Sequence, residues 1–269
     1  MQRAVCERVQ QELGSAQIAR YGVSVSEAKI GGVPVRIFDP PERSSSGAIL
    51  LNLHGGGFSK DAGSITENVP VAALTGMRVV AARYRLSPEH PYPAPVDDAQ
   101  AVYEALLAED GSRPIGLYGT SAGAILCIQL LVRIQELGLR SPKAHGFFSG
   151  SADLSRHGDT EQLFRPVLDG SRSGPLFAEY VGEADVRQPR LSPLFADLSQ
   201  FPPTLCLAGT RDFMLSQTAI FHRALIAAGV ESQLIVFEAM LHAHWIYLDI
   251  PESDEAFSHM AKFFRSHSA

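Results

Sequence analysis

With 45% hydrophobic and only 19% charged residues over 269 positions, the chain holds enough apolar material for an extended core, which excludes disorder and predicts one α/β domain over residues 1–269. A net charge of −6 without long runs of either sign excludes a basic nucleic-acid groove or a basic membrane face and points to a small-molecule partner. Three cysteines, Cys6, Cys127 and Cys206, are too few and too odd for a disulfide framework.

In chain order, the first 20 residues read as a helix with charges at Arg3, Glu7, Arg8 and Glu12. They contain no apolar run of signal-peptide or membrane-span length, so a cytoplasmic protein is expected. Residues 23–30 and 33–39, joined by Gly31 and Gly32, predict an antiparallel hairpin at a sheet edge. Apolar runs at 48–53, 78–84, 114–119, 144–150, 203–209 and 232–238 predict further strands, several without polar alternation, as in strands covered on both faces. Helical spacing at 95–109, 122–138, 216–229 and 252–266 alternates with them, which predicts a mainly parallel sheet with helices on both faces. Residues 151–200 break the alternation with polar stretches such as SRHGDT and predict a cap or lid over the sheet.

The segment GLYGTSAGAI, residues 116–125, sets Ser121 between Gly119 and Gly123 where a strand passes into a helix. At so sharp a turn, side chains two residues before and after the serine would collide with the neighbouring strand and helix, and glycine removes the collision. The predicted consequence is a Ser121 hydroxyl raised above the C-terminal edge of the sheet, at the positive end of the following helix. LNLHGGGFS, residues 51–59, places three glycines directly after a buried strand. A loop so costly in backbone entropy suits close approach to a ligand, and acyl transfer needs N–H donors held ready for an oxyanion. The expected donors are Gly56, Gly57 and Ala122, with Gly55 as the alternative. The competing reading is a phosphate loop or a plain turn, but no G-K-[ST] or G-x-G-x-x-G follows.

A serine hydroxyl needs a base, and the base needs an acid to fix its tautomer. LCLAGTRDF puts Asp212 just past one late strand, and IVFEAMLHAHW puts His242 and His244 just past the last. With no carboxylate or cysteine cluster beside the histidines, a metal is not expected.

Taken together these segments resemble the hormone-sensitive-lipase-like family of α/β-hydrolase esterases. YRLSPEHPYPAPVDD at 84–98, LSPLFADLSQFPPTLCLAGTRDF at 191–213 and EAMLH at 238–242 extend the resemblance over roughly residues 30–265. It implies an eight-stranded, mostly parallel sheet, a small cap formed by residues 1–20 and 151–200, and carboxylic-ester hydrolysis without a cofactor. Ser121 is then the nucleophile, His242 rather than His244 the base, and Asp212 the orienting acid. Tyr84, Pro88, Glu89, His90 and Pro91 are expected to brace the loops beneath the site. A homodimer through the sheet edge is implied by the resemblance alone. The chain departs from the family pattern at Thr120, where many relatives carry an acidic residue, at Arg83, and at Ala243 and His244. The 53 residues before His54 are also fewer than usual, which implies a short N-terminal cap. Two other functions use the same fold: a small-molecule-binding module without turnover, and a hydrolase or acyltransferase for an amide, aryl formamide or lactone.

Overall fold

A computed structural model describes residues 2–168 and 177–267. Its elements run α1 (Gln2–Tyr21), β1 (Ser24–Ile30), β2 (Val33–Asp39), β3 (Ile49–Leu53), α2 (Ser64–Thr75), β4 (Arg78–Ala82), α3 (Ala94–Glu109), β5 (Ile115–Thr120), α4 (Ala122–Glu136) and β6 (Ala144–Phe148). The second half continues with α5 (Asp159–Leu168), α6 (Ala178–Val181), a 3-10 turn (Pro193–Phe195), β7 (Thr204–Arg211), α7 (Leu215–Ala227), β8 (Ser232–Leu241), α8 (His244–Tyr247) and α9 (Pro251–His267).

The eight strands form one sheet in the order β1-β2-β4-β3-β5-β6-β7-β8. β2 runs antiparallel to both β1 and β4, and every pair from β4 to β8 is parallel. The expected hairpin is present, with Ile30 opposite Val33 across the Gly31–Gly32 turn. β3, β5 and β6 are buried along their whole length, which is why their sequences lack alternation. One apolar cluster joins the sheet to α3, α4 and α7, and a second joins its other face to α2 and α9. The sheet is thus covered on both sides, and its parallel strands share one C-terminal edge.

Two boundaries move for physical reasons. The strand expected over 78–84 ends at Ala82, because Tyr84 leaves the ladder and turns its ring against His54. The last strand runs on to Leu241, paired to β7 across an irregularity between Gly209 and Arg211. The sequence pattern also does not predict α2. Pro70 lies inside this helix and ten of its twelve residues are buried, so it has no amphipathic stripe to read. Residues 169–176 of the expected cap lie outside the described residues.

Candidate active site

Ser121 stands at φ 59°, ψ −121°, a backbone region that non-glycine residues rarely occupy, between the end of β5 and the start of α4. The flanking glycines make this possible by close approach. A Cβ on Gly123 would lie 1.8 Å from the Leu53 carbonyl oxygen, and one on Gly119 would lie 2.4 Å from the Gly123 carbonyl carbon. The elbow is therefore wedged against the end of β3, the strand that leads into the glycine loop.

In that loop Gly56 and Gly57 have φ of 117° and 63°. Gly56 O accepts from the N–H of Ser59 and Lys60, and Gly55 O accepts from Ala62 N–H at 3.1 Å, which closes the loop on itself. None of Gly56, Gly57 or Ala122 donates its N–H in the turn and cap hydrogen bonds of the described residues. Tyr84 OH donates to His54 O at 2.6 Å while its ring stacks on the His54 ring at 4.2 Å. Ser87 N–H donates to Phe58 O at 2.8 Å, and Arg3 of α1 donates to Ser59 O while pairing with Glu89 at 2.6 Å. The Tyr84–Glu89 segment thus braces the glycine loop.

Beyond β7 and β8, the structure brings Asp212 and His242 together, with His242 Nδ1 2.7 Å from Asp212 Oδ1. Asp212 is buried, whereas His242 keeps part of its ring open to solvent. Burial alone would raise the Asp212 carboxyl. The charge and hydrogen bond of His242, the nearby Ser149 hydroxyl and the Met214 N–H outweigh it and hold the carboxyl below its ordinary value. Asp212 Oδ2 and Ser149 Oγ are both buried without a well-aligned partner among the described residues. Phe213 packs on the His242 ring at 4.3 Å. His244 instead is buried, edge-on to Phe237 and Trp245, and burial lowers its pKa. Ser121 lies on the same sheet edge; among the described residues no hydrogen bond joins its Oγ to His242. Such contacts are commonly loose before substrate binds.

Phe58 is wholly buried, stacked on Tyr180 at 3.5 Å and met edge-on by Phe177, so these two rings pack against the end of the glycine loop. Met214 is also buried, and Phe213 faces the site. Sequence reasoning does not single out Glu67, in α2, whose buried carboxylate accepts from Thr120 Oγ1, from Trp245 Nε1 at 3.0 Å and from Asn52 Nδ2 at 3.2 Å. Burial pushes it up to about 6 against those hydrogen bonds. The one sequence signal is a lone carboxylate beside the apolar run VPVAAL.

The chemistry of this arrangement has relatives. A family model described as the alpha/beta hydrolase fold matches residues 50–246. An acetyl-hydrolase of Streptomyces hygroscopicus is 31% identical over 228 residues, covering 82% of this chain and 76% of that one. The carboxylesterase NlhH of Mycobacterium tuberculosis is 31% identical over 243 residues, covering 83% and 75%. Among solved structures, an esterase from the bacterial hormone-sensitive lipase family superposes with a TM-score of 0.85 at 31% identity, over 98% of this chain and 91% of the other. The chain therefore belongs to the alpha/beta hydrolase fold family, among its hormone-sensitive-lipase-like esterases.

Proposed function

We propose that this carboxylic-ester hydrolase works by serine acyl transfer on short- to medium-chain esters, with Ser121 as nucleophile, His242 as base and Asp212 as orienting acid. The observation that carries the reading is the 2.7 Å contact between His242 Nδ1 and the buried Asp212 carboxylate, on the sheet edge that also bears the strained Ser121. In this scheme Asp212 holds the Nδ1 proton, which leaves Nε2 as the lone pair that takes the Ser121 hydroxyl proton. Ser121 Oγ attacks the ester carbonyl. The oxyanion is received by the N–H groups of Gly56, Gly57 and Ala122 at the positive end of α4. The protonated His242 gives its proton to the departing alkoxide, and water then repeats the sequence to release the acid.

Residues 1–20 and 151–200 act as the cap, which the reach of Arg3 to Ser59 and Glu89 and the stacking of Tyr180 on Phe58 support. No helix among the described residues is long and apolar enough to cross a membrane. A cytoplasmic location is supported by the free state of Cys6, Cys127 and Cys206. A homodimer through the sheet edge fits the exposure of Val236 and Leu241 on β8, and sedimentation of the purified chain reads it out.

The test is a p-nitrophenyl ester series from acetyl to palmitoyl, run on the wild type and on Ser121→Ala. The reading requires the highest kcat/KM between acetyl and hexanoyl and a loss of about a million-fold in the variant. A rate that rises from octanoyl to palmitoyl overturns the chain-length assignment, and turnover that survives Ser121→Ala overturns the mechanism.

A further inference from the structure

The structure assigns to Glu67 a positioning role: its buried carboxylate ties the elbow at Thr120, the base of the glycine loop at Asn52 and the helix after His242 at Trp245 into one arrangement. This rests on the reading of Ser121 and His242 as nucleophile and base.

Glu67 is 1% exposed, and no cation faces it among the described residues. A carboxylate in that setting loses its hydration, and a well-packed apolar side chain of the same size would be cheaper. What the carboxylate supplies is a pair of fixed acceptors. Oε1 takes Thr120 Oγ1 and Trp245 Nε1 at 3.0 Å, and Oε2 takes Asn52 Nδ2 at 3.2 Å. Each donor stands beside a reacting group. Thr120 directly precedes Ser121, Asn52 lies just ahead of His54 and the glycine loop, and Trp245 sits in α8, just past His242.

These attachments are not redundant. Asn52 and Tyr118 already face each other in the β3–β5 ladder, so the sheet itself fixes the elbow against the base of the glycine loop. The ladder reaches the histidine loop only at Leu241, with β6 and β7 between it and β5, and the Trp245–Glu67–Thr120 bridge adds a direct polar link from α8 to the elbow. All four side chains are buried, so water does not substitute for a missing partner. The network continues as Asn68 Nδ2 donates to Asn52 Oδ1 at 3.0 Å and Tyr118 OH donates to Asn68 Oδ1. A glutamine at 67 therefore re-pairs. Its oxygen receives Thr120 and Trp245 and its amide faces Asn52, which turns over to accept, with Asn68 turning in step.

The test measures kcat, KM and thermal unfolding with p-nitrophenyl butyrate for Glu67→Ala, Glu67→Gln, Trp245→Phe and their combinations. Glu67→Ala is expected to lower kcat at least about tenfold with KM within about twofold, because misplacement acts on the transition state. Glu67→Gln restores kcat to within about threefold of wild type, since it keeps the hydrogen-bonded shape. Trp245→Phe lowers kcat severalfold in the wild-type background and adds nothing in Glu67→Ala.

An unchanged kcat in folded Glu67→Ala, or the same Trp245→Phe factor in both backgrounds, overturns the assignment. If Glu67→Ala does not fold, the cycle of Thr120→Val with Trp245→Phe decides: coupled effects on kcat support the bridge, and independent ones overturn it. Ser121→Ala separates the two levels. Activity that persists there sinks the triad reading, whereas loss there with silent Glu67 variants sinks only the bridge.

Discussion

Replacing Gly123 by alanine tests how tightly the elbow depends on close packing. The added Cβ would stand 1.8 Å from Leu53 O, 2.7 Å from Leu53 C and 2.8 Å from His54 C, all backbone atoms that no side-chain rotation can clear. Ordinary contact begins near 3.4 Å, so α4 and the end of β3 must part by about 1.5 Å, and a misplacement of about 1 Å already costs about 100-fold in rate. Both halves of the site move, because β3 leads into the glycine loop and α4 begins with Ala122, directly after Ser121. kcat/KM on p-nitrophenyl butyrate is therefore expected to fall by at least about 100-fold in the folded protein. The control is Gly138→Ala beyond the far end of the same helix, where nothing lies within 4 Å of the new Cβ and only the left-handed φ of 63° is strained. That variant should lose about 1–2 kcal/mol of stability and keep its kcat/KM. Gly123→Ala turning over within about threefold of wild type refutes the packing argument, since a shift of that size cannot be catalytically silent.

Asp212→Asn leaves the shape of the loop but no longer fixes the Nδ1–H tautomer of His242, and kcat should fall by about 10,000-fold with KM nearly unchanged; a loss below about tenfold contradicts the pairing seen at 2.7 Å. Ser149→Ala removes a hydroxyl that helps to hold Asp212 ionised, so the Asp212 carboxyl should titrate at higher pH when followed by carboxyl NMR. An unmoved Asp212 titration excludes that contribution. Glu67 gives the stability itself a pH dependence. Its carboxyl is raised from 4.5 to about 6 in the folded state, so the native protein takes up the proton first as pH falls, and stability is lost as pH rises through that window. The interval is worth about 2 kcal/mol. Of its ionisable neighbours, burial keeps Tyr118 and Cys127 neutral, leaving Asp61 as the charge that faces it. In urea titrations Glu67→Gln should therefore gain about 2 kcal/mol on the wild type between pH 4.5 and 6.5, and parallel curves would contradict the buried charge.

The strands were legible because β3, β5 and β6 are covered on both faces and read as unbroken apolar runs. The elbow and the glycine loop were legible because their glycines answer local needs, a close approach at Gly123 and positive φ at Gly56 and Gly57. α2 was not legible, since Pro70 and burial on every side erase its periodicity. Nor was the Glu67 network, whose partners Asn52, Thr120 and Trp245 lie 15, 53 and 178 positions away and converge only in the folded chain. The same holds for Tyr180, which leaves a loop-rich segment to stack on Phe58 and donate to Gln129 at 2.5 Å. Local sequence signals reach as far as a turn or a strand; contacts between distant loops leave no spacing to read.

The most direct test of the account is labelling by a fluorophosphonate, with the modified residue located by mass spectrometry of the digested protein. The account predicts one adduct on the peptide that contains Ser121, formed at least about 1,000-fold more slowly in His242→Ala because the hydroxyl then has no base. An adduct on another residue, or labelling of Ser121 at an undiminished rate without His242, would contradict it.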